Sequence, residues 1–452
     1  EKIELLDLKV NSASENSIEH LKEIYQKGSK FLETEFNLQS SISEQVYYRS
    51  ALIDKILKKI WKINLNNEKV CLVAVGGYGR EELHPYSDID ILIISQKDPK
   101  KISNHIENLI SSIWDIGLYI SHSVRNVDQC IHEAKSNVIT FTNILESRFL
   151  IGEKNLFQQL HKKLLDKNIW PNDTFLLAKI LEQKNRHAQV DFSNHELEPN
   201  IKSNPGGLRD IQVITWIAKK YLGISNLNEL IQFGFLTNKE YQKLKDGEEF
   251  LWKIRSALHL LTKRQEDRLL FEHQLTLANQ FGYNDKNSNL AVEQFMQKYY
   301  RTAVSLQRIN EITLQLFREE ITKKTSNIKL NKINNRFQEN NNYIEVTNPA
   351  IFIRQPSAMI EIFLLLQKNP KIKGIRANTI RLIEAHRYLI GKSVRKSKVA
   401  RKIFMEILRQ PVGVYGTLRK MHRYGVLACY IPDFKKISGL MQFDLFHLYT
   451  VD

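Results

Sequence analysis

The sequence predicts an α+β protein: a small mixed-sheet domain followed by mainly α-helical domains. Two continuous β-prone apolar runs, "EKVCLVAVGG" at 68–77 and "DIDILII" at 88–94, sit on either side of a glycine turn and predict buried strands. After about residue 130 strand signals fade, and apolar residues recur at helical spacing instead. At 452 residues and 42% apolar content, the chain exceeds one ordinary core and is not disordered throughout.

Residues 1–62 read as N-terminal helices; the clearest contains Leu52, Ile53, Ile56, Leu57 and Ile60 on one face. The sheet domain is placed at 63–150. Within it, "YGREELH" suits one or two helical turns before Pro85, a helix runs from Ile102 to Trp114, and "GLYISHSVRN" reads as a third strand. Helical spacing around 135–165, 174–190, 210–223, 238–263 and 289–323 predicts a helical bundle over 151–325. The asparagine-rich stretch at 326–348 reads as a linker. A further helical region follows at 349–436, and "GLMQFDLFHLYTVD" looks like a helix that stops midway.

Composition narrows the function classes. No run of eighteen apolar residues is present, so no membrane span or membrane partner is expected. No basic-then-apolar leader follows Glu1, and Cys71, Cys130 and Cys429 stand singly; both point to the cytoplasm and to no disulfide or zinc frame. The net charge of +16 reads as a compositional bias spread among asparagines, and no nucleic-acid partner is expected from it.

The candidate site is "VAVGGYGREELHPYSDIDILII", residues 73–94. Strand alternation puts Asp88 and Asp90 on one face and Ile89, Ile91 and Ile93 on the other. Two carboxylates so placed repel and lose hydration, and a divalent cation relieves both effects. Mg²⁺, with Mn²⁺ as a substitute, takes one or two carboxylates together with substrate phosphates. Gly76 and Gly77 let a backbone approach such phosphates closely. An ordinary strand end or an Asx-capped loop has the same local pattern.

The arrangement is similar to the signature of polymerase-β-type nucleotidyltransferases, in which two metals activate an attacking hydroxyl and stabilise departing pyrophosphate. More closely, "GGYGREELHPYSDIDILI" resembles the GGYGRxEL-x-P-x-SDIDLL motif of bacterial PII uridylyltransferase/uridylyl-removing enzymes. The likeness continues through "ESRFLIG", "LEPNIKSNPGGLRDIQ", "LWKIRSALHLLTKRQEDRLLFEHQLTLANQFGY" and the C-terminal segment, in the family's order.

The resemblance implies transfer of UMP from UTP to a tyrosine hydroxyl of the PII signalling protein, with release of pyrophosphate. It makes Asp88 and Asp90 metal ligands and catalytic residues. Gly76, Gly77, Tyr78 and Gly79 then flank the nucleotide, with Arg80 and Ser87 supporting the loop. It also implies an HD-type phosphohydrolase domain that removes UMP, starting at 437–452 and truncated, and glutamine-sensing domains further on; this chain is expected to keep transfer alone.

Two departures stand out. Tyr119 lies where the family often has a glutamate, which leaves Glu146, Asp210 or no third acid to complete the metal site; Asn200 stands where aspartate is common. Lys202, Gly206 and Gly207 in "KSNPGGLRD" read as a second nucleotide-facing loop through the resemblance, or as a plain helix start with Asp210 near its dipole. Arg255, His259, Arg264 and Arg268 share helical spacing and read as a solvated face partnered by Glu266 or Asp267, with nucleotide or PII contact as the alternative. His422 and His447 are left out as lone histidines. A nucleotidyltransferase of other specificity, and a binding module without catalysis, remain the competing readings.

Overall fold

Short β-branched runs and long amphipathic helices sort into two compact units, residues 1–179 with 248–269 and residues 180–247 with 270–452. The computed structural model describes residues 17–36, 41–65, 69–96, 103–189, 196–224, 226–286, 289–323, 330–443 and 450–451.

The first unit begins with α1 (Ile18–Thr34) and α2 (Ile42–Asn64), each started by a serine whose side chain accepts a first-turn N–H. The α2 face carrying Leu52, Ile53, Ile56, Leu57 and Ile60 is buried, as its spacing predicts. Then come β1 (Val70–Ala74), α3 (Gly76–Gly79), β2 (Ile89–Ser95), α4 (Ser103–Asp115), β3 (Ile120–Asn126), α5 (Val127–Ser136), α6 (Val138–Leu145), β4 (Arg148–Gly152) and α7 (Lys154–Leu164). The sheet order is β3-β2-β1-β4. Because β2 runs antiparallel to β1 and parallel to β3, the sheet is mixed.

Two local expectations are corrected here. The helical turn starts at Gly76 and ends at Gly79; beyond it Glu81 and Tyr86 take positive φ and Pro85 lacks an N–H, so no helix continues. The helical reading of 135–165 is interrupted by β4. Its Phe149, Leu150 and Ile151 are too few to show a period, and pairing with β1 decides its state.

The remaining elements are α8 (Asn172–Gln189), α9 (Leu208–Leu222), α10 (Glu229–Gln232), α11 (Asn238–Thr262), α12 (Phe271–Gln280) and α13 (Ala291–Lys323). A second sheet is formed by β5 (Leu330–Lys332), β6 (Phe337–Asn340), β7 (Tyr343–Val346) and β8 (Gly374–Ile375). Around it lie α14 (Ile351–Arg354), α15 (Ala358–Lys368), α16 (Ala377–His386), α17 (Lys392–Lys396), α18 (Lys398–Arg409), α19 (Val414–Arg423), α20 (Val426–Tyr430) and α21 (Pro432–Ile437).

The expected linker at 326–348 is therefore three strands over its described part. Asn341 and Asn342 both take positive φ in the two-residue turn between β6 and β7, a conformation asparagine tolerates. Phe337 and Ile344 are buried from that hairpin. The C-terminal helix expectation also fails where it can be seen: α21 ends at Ile437 and 439–443 are not helical, while 444–449 lie outside the described residues. So do 1–16 and 37–40 of the expected N-terminal helices. Among the described residues no helix is long and apolar enough to cross a membrane.

Candidate functional site

Strand β1 delivers the chain into α3, and β2 returns beside it. The Val75 N–H donates to the Asp90 carbonyl at 3.0 Å, which holds the turn against the start of β2. Gly76 has φ +59, and a Cβ there would stand 2.9 Å from Asp90 Oδ2. The glycine turn and the acid therefore touch, and no other residue type fits between them without displacing the carboxylate.

Asp88 is exposed, one residue ahead of β2; Asp90 is half-buried and lies opposite Ser121 of β3. Ile89, Ile91 and Ile93 are buried on the other face. Each such burial contributes roughly 1.5–3 kcal/mol, whereas two carboxylates on a hydrated strand end repel by only about 1 kcal/mol. The apolar face wins, so the fold presents the pair without needing a cation to form. That removes the energetic argument for a metal and leaves the chemistry of the donors: two carboxylates of hard oxygen ligand beside a glycine backbone, which suits Mg²⁺ or Mn²⁺ with phosphate. Beside them the Ser87 hydroxyl is buried without a hydrogen-bond partner.

Beneath the turn lies a dense polar support. The Tyr78 hydroxyl donates to Asp54 Oδ1 at 2.6 Å, and Arg148 donates to both Asp54 oxygens at 2.5 and 3.0 Å. Tyr78 is fully buried, so its side chain anchors the turn to α2 and β4 and leaves only backbone for a ligand. Arg80 donates from Nε to Glu82 and from Nη1 to Glu146, both at 2.7 Å. Burial opposes the Arg80 charge, but Glu146 and Glu82 outweigh it and raise its pKa. Burial pushes Glu248 up to about 8, with Glu82 adding to the shift and Arg80 opposing it. Three glutamates thus crowd Arg80, with Arg255 also acting on Glu82.

The loop from Glu81 to Ser87 is fastened by the helical segment 248–262. His84 Nδ1 lies 2.8 Å from Ser256 Oγ, and His259 is hydrogen-bonded to the Pro85 carbonyl. Burial, then Arg255 and His259, hold the His84 pKa well below its ordinary value. Arg255 pairs with both oxygens of Asp267, at 2.6 and 3.2 Å. The solvated-face expectation is thus corrected for Arg255 and His259, which are buried, although Asp267 is the partner it named. Arg264 is exposed and pairs with Glu266, and both it and Arg268 lie past the end of α11.

The second predicted loop is built differently. A Cβ on Gly206, whose φ is +77, would lie 2.0 Å from the Ala303 carbonyl oxygen. One on Gly207 would lie 2.6 Å from that of Ile201. Both glycines are buried, and close packing against backbone is enough to require glycine at each; Lys202 is half-buried beside them. Asp210 is buried and accepts from Gly206 N–H at 2.7 Å, Arg186 at 2.5 Å and His187 at 2.9 Å. Asn200 Oδ1 accepts from the N–H groups of Lys202 and Ser203, the service an aspartate gives in the same turn.

The two alternative third acids differ: Glu146 pairs through one oxygen and leaves Oε1 buried without a hydrogen-bond partner, whereas Asp210 accepts three hydrogen bonds. Glu146 and Asp210 are both committed to arginines, and among the described residues no group of three His, Cys, Asp or Glu is arranged to hold an ion. Tyr119 is 86% exposed just ahead of β3, as Asp88 is just ahead of β2, and the next residues, Ile89 and Ile120, are register partners. His422 lies on α19, and His447 is outside the described residues. The sequence reading missed Asp54, Glu82, His84, Arg148, Glu248 and Ser256. Most of their partners lie far along the chain, 94 residues for Asp54 and Arg148 and 172 for His84 and Ser256, so no local pattern marks them; Glu82 is the exception, two residues from Arg80.

Three family models match the chain: a nucleotidyltransferase domain over residues 53–158, the GlnD PII-uridylyltransferase model over 174–314, and the uridylyltransferase GlnD third domain over 337–430. The bifunctional uridylyltransferase/uridylyl-removing enzyme of Nitrosococcus oceani is 45% identical over 435 residues, 96% of this chain and 49% of its own length. The enzymes of the same name from Pseudomonas syringae pv. tomato and Ectopseudomonas mendocina are 43% and 42% identical, over 95% and 98% of this chain. The chain spans about half the length of the curated relatives it matches.

Proposed function

The chain belongs to the GlnD uridylyltransferase family, and from that premise we propose that it transfers UMP from UTP to a tyrosine hydroxyl of the PII signalling protein. The observation that carries the reading is the contact of Asp90 with the Gly76 backbone, which brings carboxylates and a glycine turn to one point.

In this reading Asp88 and Asp90 hold Mg²⁺ or Mn²⁺, and the backbone of Gly76, Gly77, Tyr78 and Gly79 flanks the triphosphate. Bound there, the cation neutralises phosphate charge and favours departure of pyrophosphate. The acceptor's phenolic oxygen forms the new bond to the α-phosphorus, the bond to the β-phosphate oxygen breaks, and the phenolic proton leaves to solvent. Arg80 acts from below the turn: tied to Glu82 and Glu146, it keeps Gly76 and Gly77 in place. Ser87 offers its unpartnered hydroxyl next to Asp88.

The test is pyrophosphate release from UTP with Mg²⁺ and purified PII protein, comparing this chain with Asp88→Asn. Release that requires PII and is lost in a folded mutant is expected. Undiminished release by Asp88→Asn would remove the site from the reaction, and faster turnover of ATP or CTP would replace UTP. A second reading, nucleotide binding without transfer, is favoured by Tyr119 standing exposed just ahead of β3 and by the lack, among the described residues, of a group of three His, Cys, Asp or Glu arranged to hold an ion. UTP binding with no pyrophosphate released by the wild-type chain would select it.

A further inference from the structure

Between residues 387 and 423 eleven lysines and arginines meet a single acid, Glu406, so ten of the chain's sixteen net positive charges fall there. The charge is not evenly spread after all. Glu406 is itself engaged by Lys368 at 2.9 Å and does little to offset its own helix. Lys392, Lys396, Lys398, Arg401, Lys402 and Arg409 are exposed along α17 and α18.

The same face carries apolar side chains. Helix α18 spends one side on the core, through Ala400, Ile403, Phe404 and Ile407. Its exposed side still holds Val399, Met405 and Leu408; the turn before α19 adds Val412 and the start of α19 adds Tyr415, the last two 74% and 75% exposed. Single exposed apolar residues are ordinary, but a run of them among cations marks an interaction surface.

We propose that this face of α17–α19 docks an acidic protein surface with an apolar centre. Met, Tyr and Arg are the types enriched at the centres of protein interfaces, and a cationic surround steers an acidic partner into register. Nucleic acid is the poorer match, because a phosphate backbone offers nothing to Val399, Leu408 and Val412. A membrane surface is also the poorer match. Interfacial helices lay one continuous apolar face into lipid, and the apolar face of α18 is already buried in protein. The proposal stands apart from the transferase reading and does not use its residues.

The experiment measures binding of the whole chain to a Glu/Tyr copolymer, poly-glutamate, duplex DNA and anionic phosphatidylglycerol vesicles at about 0.15 M salt. The copolymer is expected to bind about tenfold more tightly than poly-glutamate, because the apolar centre adds to the charge. Lys398→Glu with Arg401→Glu and Arg409→Glu should weaken both polypeptides about tenfold. Leu408→Ser with Val412→Ser should weaken only the copolymer. A matched reversal on other exposed lysines, Lys22, Lys30 and Lys62, should change little. Where a reversal lowers the melting temperature, the glutamine versions replace it. Tighter binding of DNA or vesicles than of the copolymer overturns the proposal, and so does a loss no greater than that of the matched control.

Discussion

In the turn at 76–79 the atom that forbids a side chain on Gly76 is a carboxylate oxygen of Asp90, whereas in the turn at 203–207 the atoms that forbid one on Gly206 and Gly207 are backbone carbonyls. The first is a single helical turn and the second leads into α9; both carry paired glycines, and in sequence they look like two halves of one nucleotide site. The first keeps its glycine so that an acid can lie against bare backbone. The second keeps Gly206 so that the loop can pack on α13, and Gly207 so that the loop can close on its own carbonyls. Paired glycines therefore say that something comes close; what comes close decides whether the position serves chemistry or stability.

That contrast can be broken most sharply at the acid. Asp90→Asn keeps shape and removes charge, so it should lower pyrophosphate release about a thousandfold, a change of about 4 kcal/mol, with the melting temperature unchanged or raised. Activity within a few-fold of wild type would mean that the Gly76 contact has no catalytic meaning. Gly206→Ala tests the other turn. With φ +77 and a carbonyl 2.0 Å from the new Cβ, it should cost about 3 kcal/mol of stability. Its remaining folded fraction should show normal turnover; denaturant unfolding beside activity per folded molecule separates the two.

Gly76→Ala sits between these extremes. Its neighbour is a side chain that can move, so a stability loss of about 1–2 kcal/mol is expected with an activity loss of about ten- to a hundredfold. Equal losses in stability and activity at 76 and 206 would erase the distinction between the turns. The smallest effect concerns the glutamates crowded under the first turn. Burial raises Glu248 to about 8 in the folded chain against an ordinary value of 4.5. The folded state therefore holds this proton more tightly, and its contribution is present below about pH 4.5 and lost as pH rises towards 8. Glu248→Gln should stabilise the chain by about 1 kcal/mol at pH 9 and not at pH 4; melting curves at the two pH values check the sign.

Much of the fold was legible because it is written locally. The 3.6-residue spacing along α2, α9, α11 and α13, and the runs that became β1 and β2, are signals of adjacent residues. Strand β4 was not legible, since three apolar residues have no period of their own until β1 pairs with them. The hairpin of β6 and β7 was misread for a more instructive reason. Its asparagines have the composition of a polar linker, yet Asn341 and Asn342 are the residues a tight turn calls for.

For the candidate site, the sequence by itself determined the acids Asp88 and Asp90 and the glycine turn before them, because strand alternation and glycine's backbone freedom are properties of neighbouring residues. Only the tertiary structure decided that Tyr78 faces the core, that Arg80 is shared between Glu82 and Glu146, and that His84 and Pro85 are held from the segment 248–262. It also decided that Gly206 packs on Ala303. Those outcomes depend on which distant groups share a buried space, where each unpaired donor or acceptor costs about 1–3 kcal/mol. A one-dimensional pattern does not record who meets whom there; folding does.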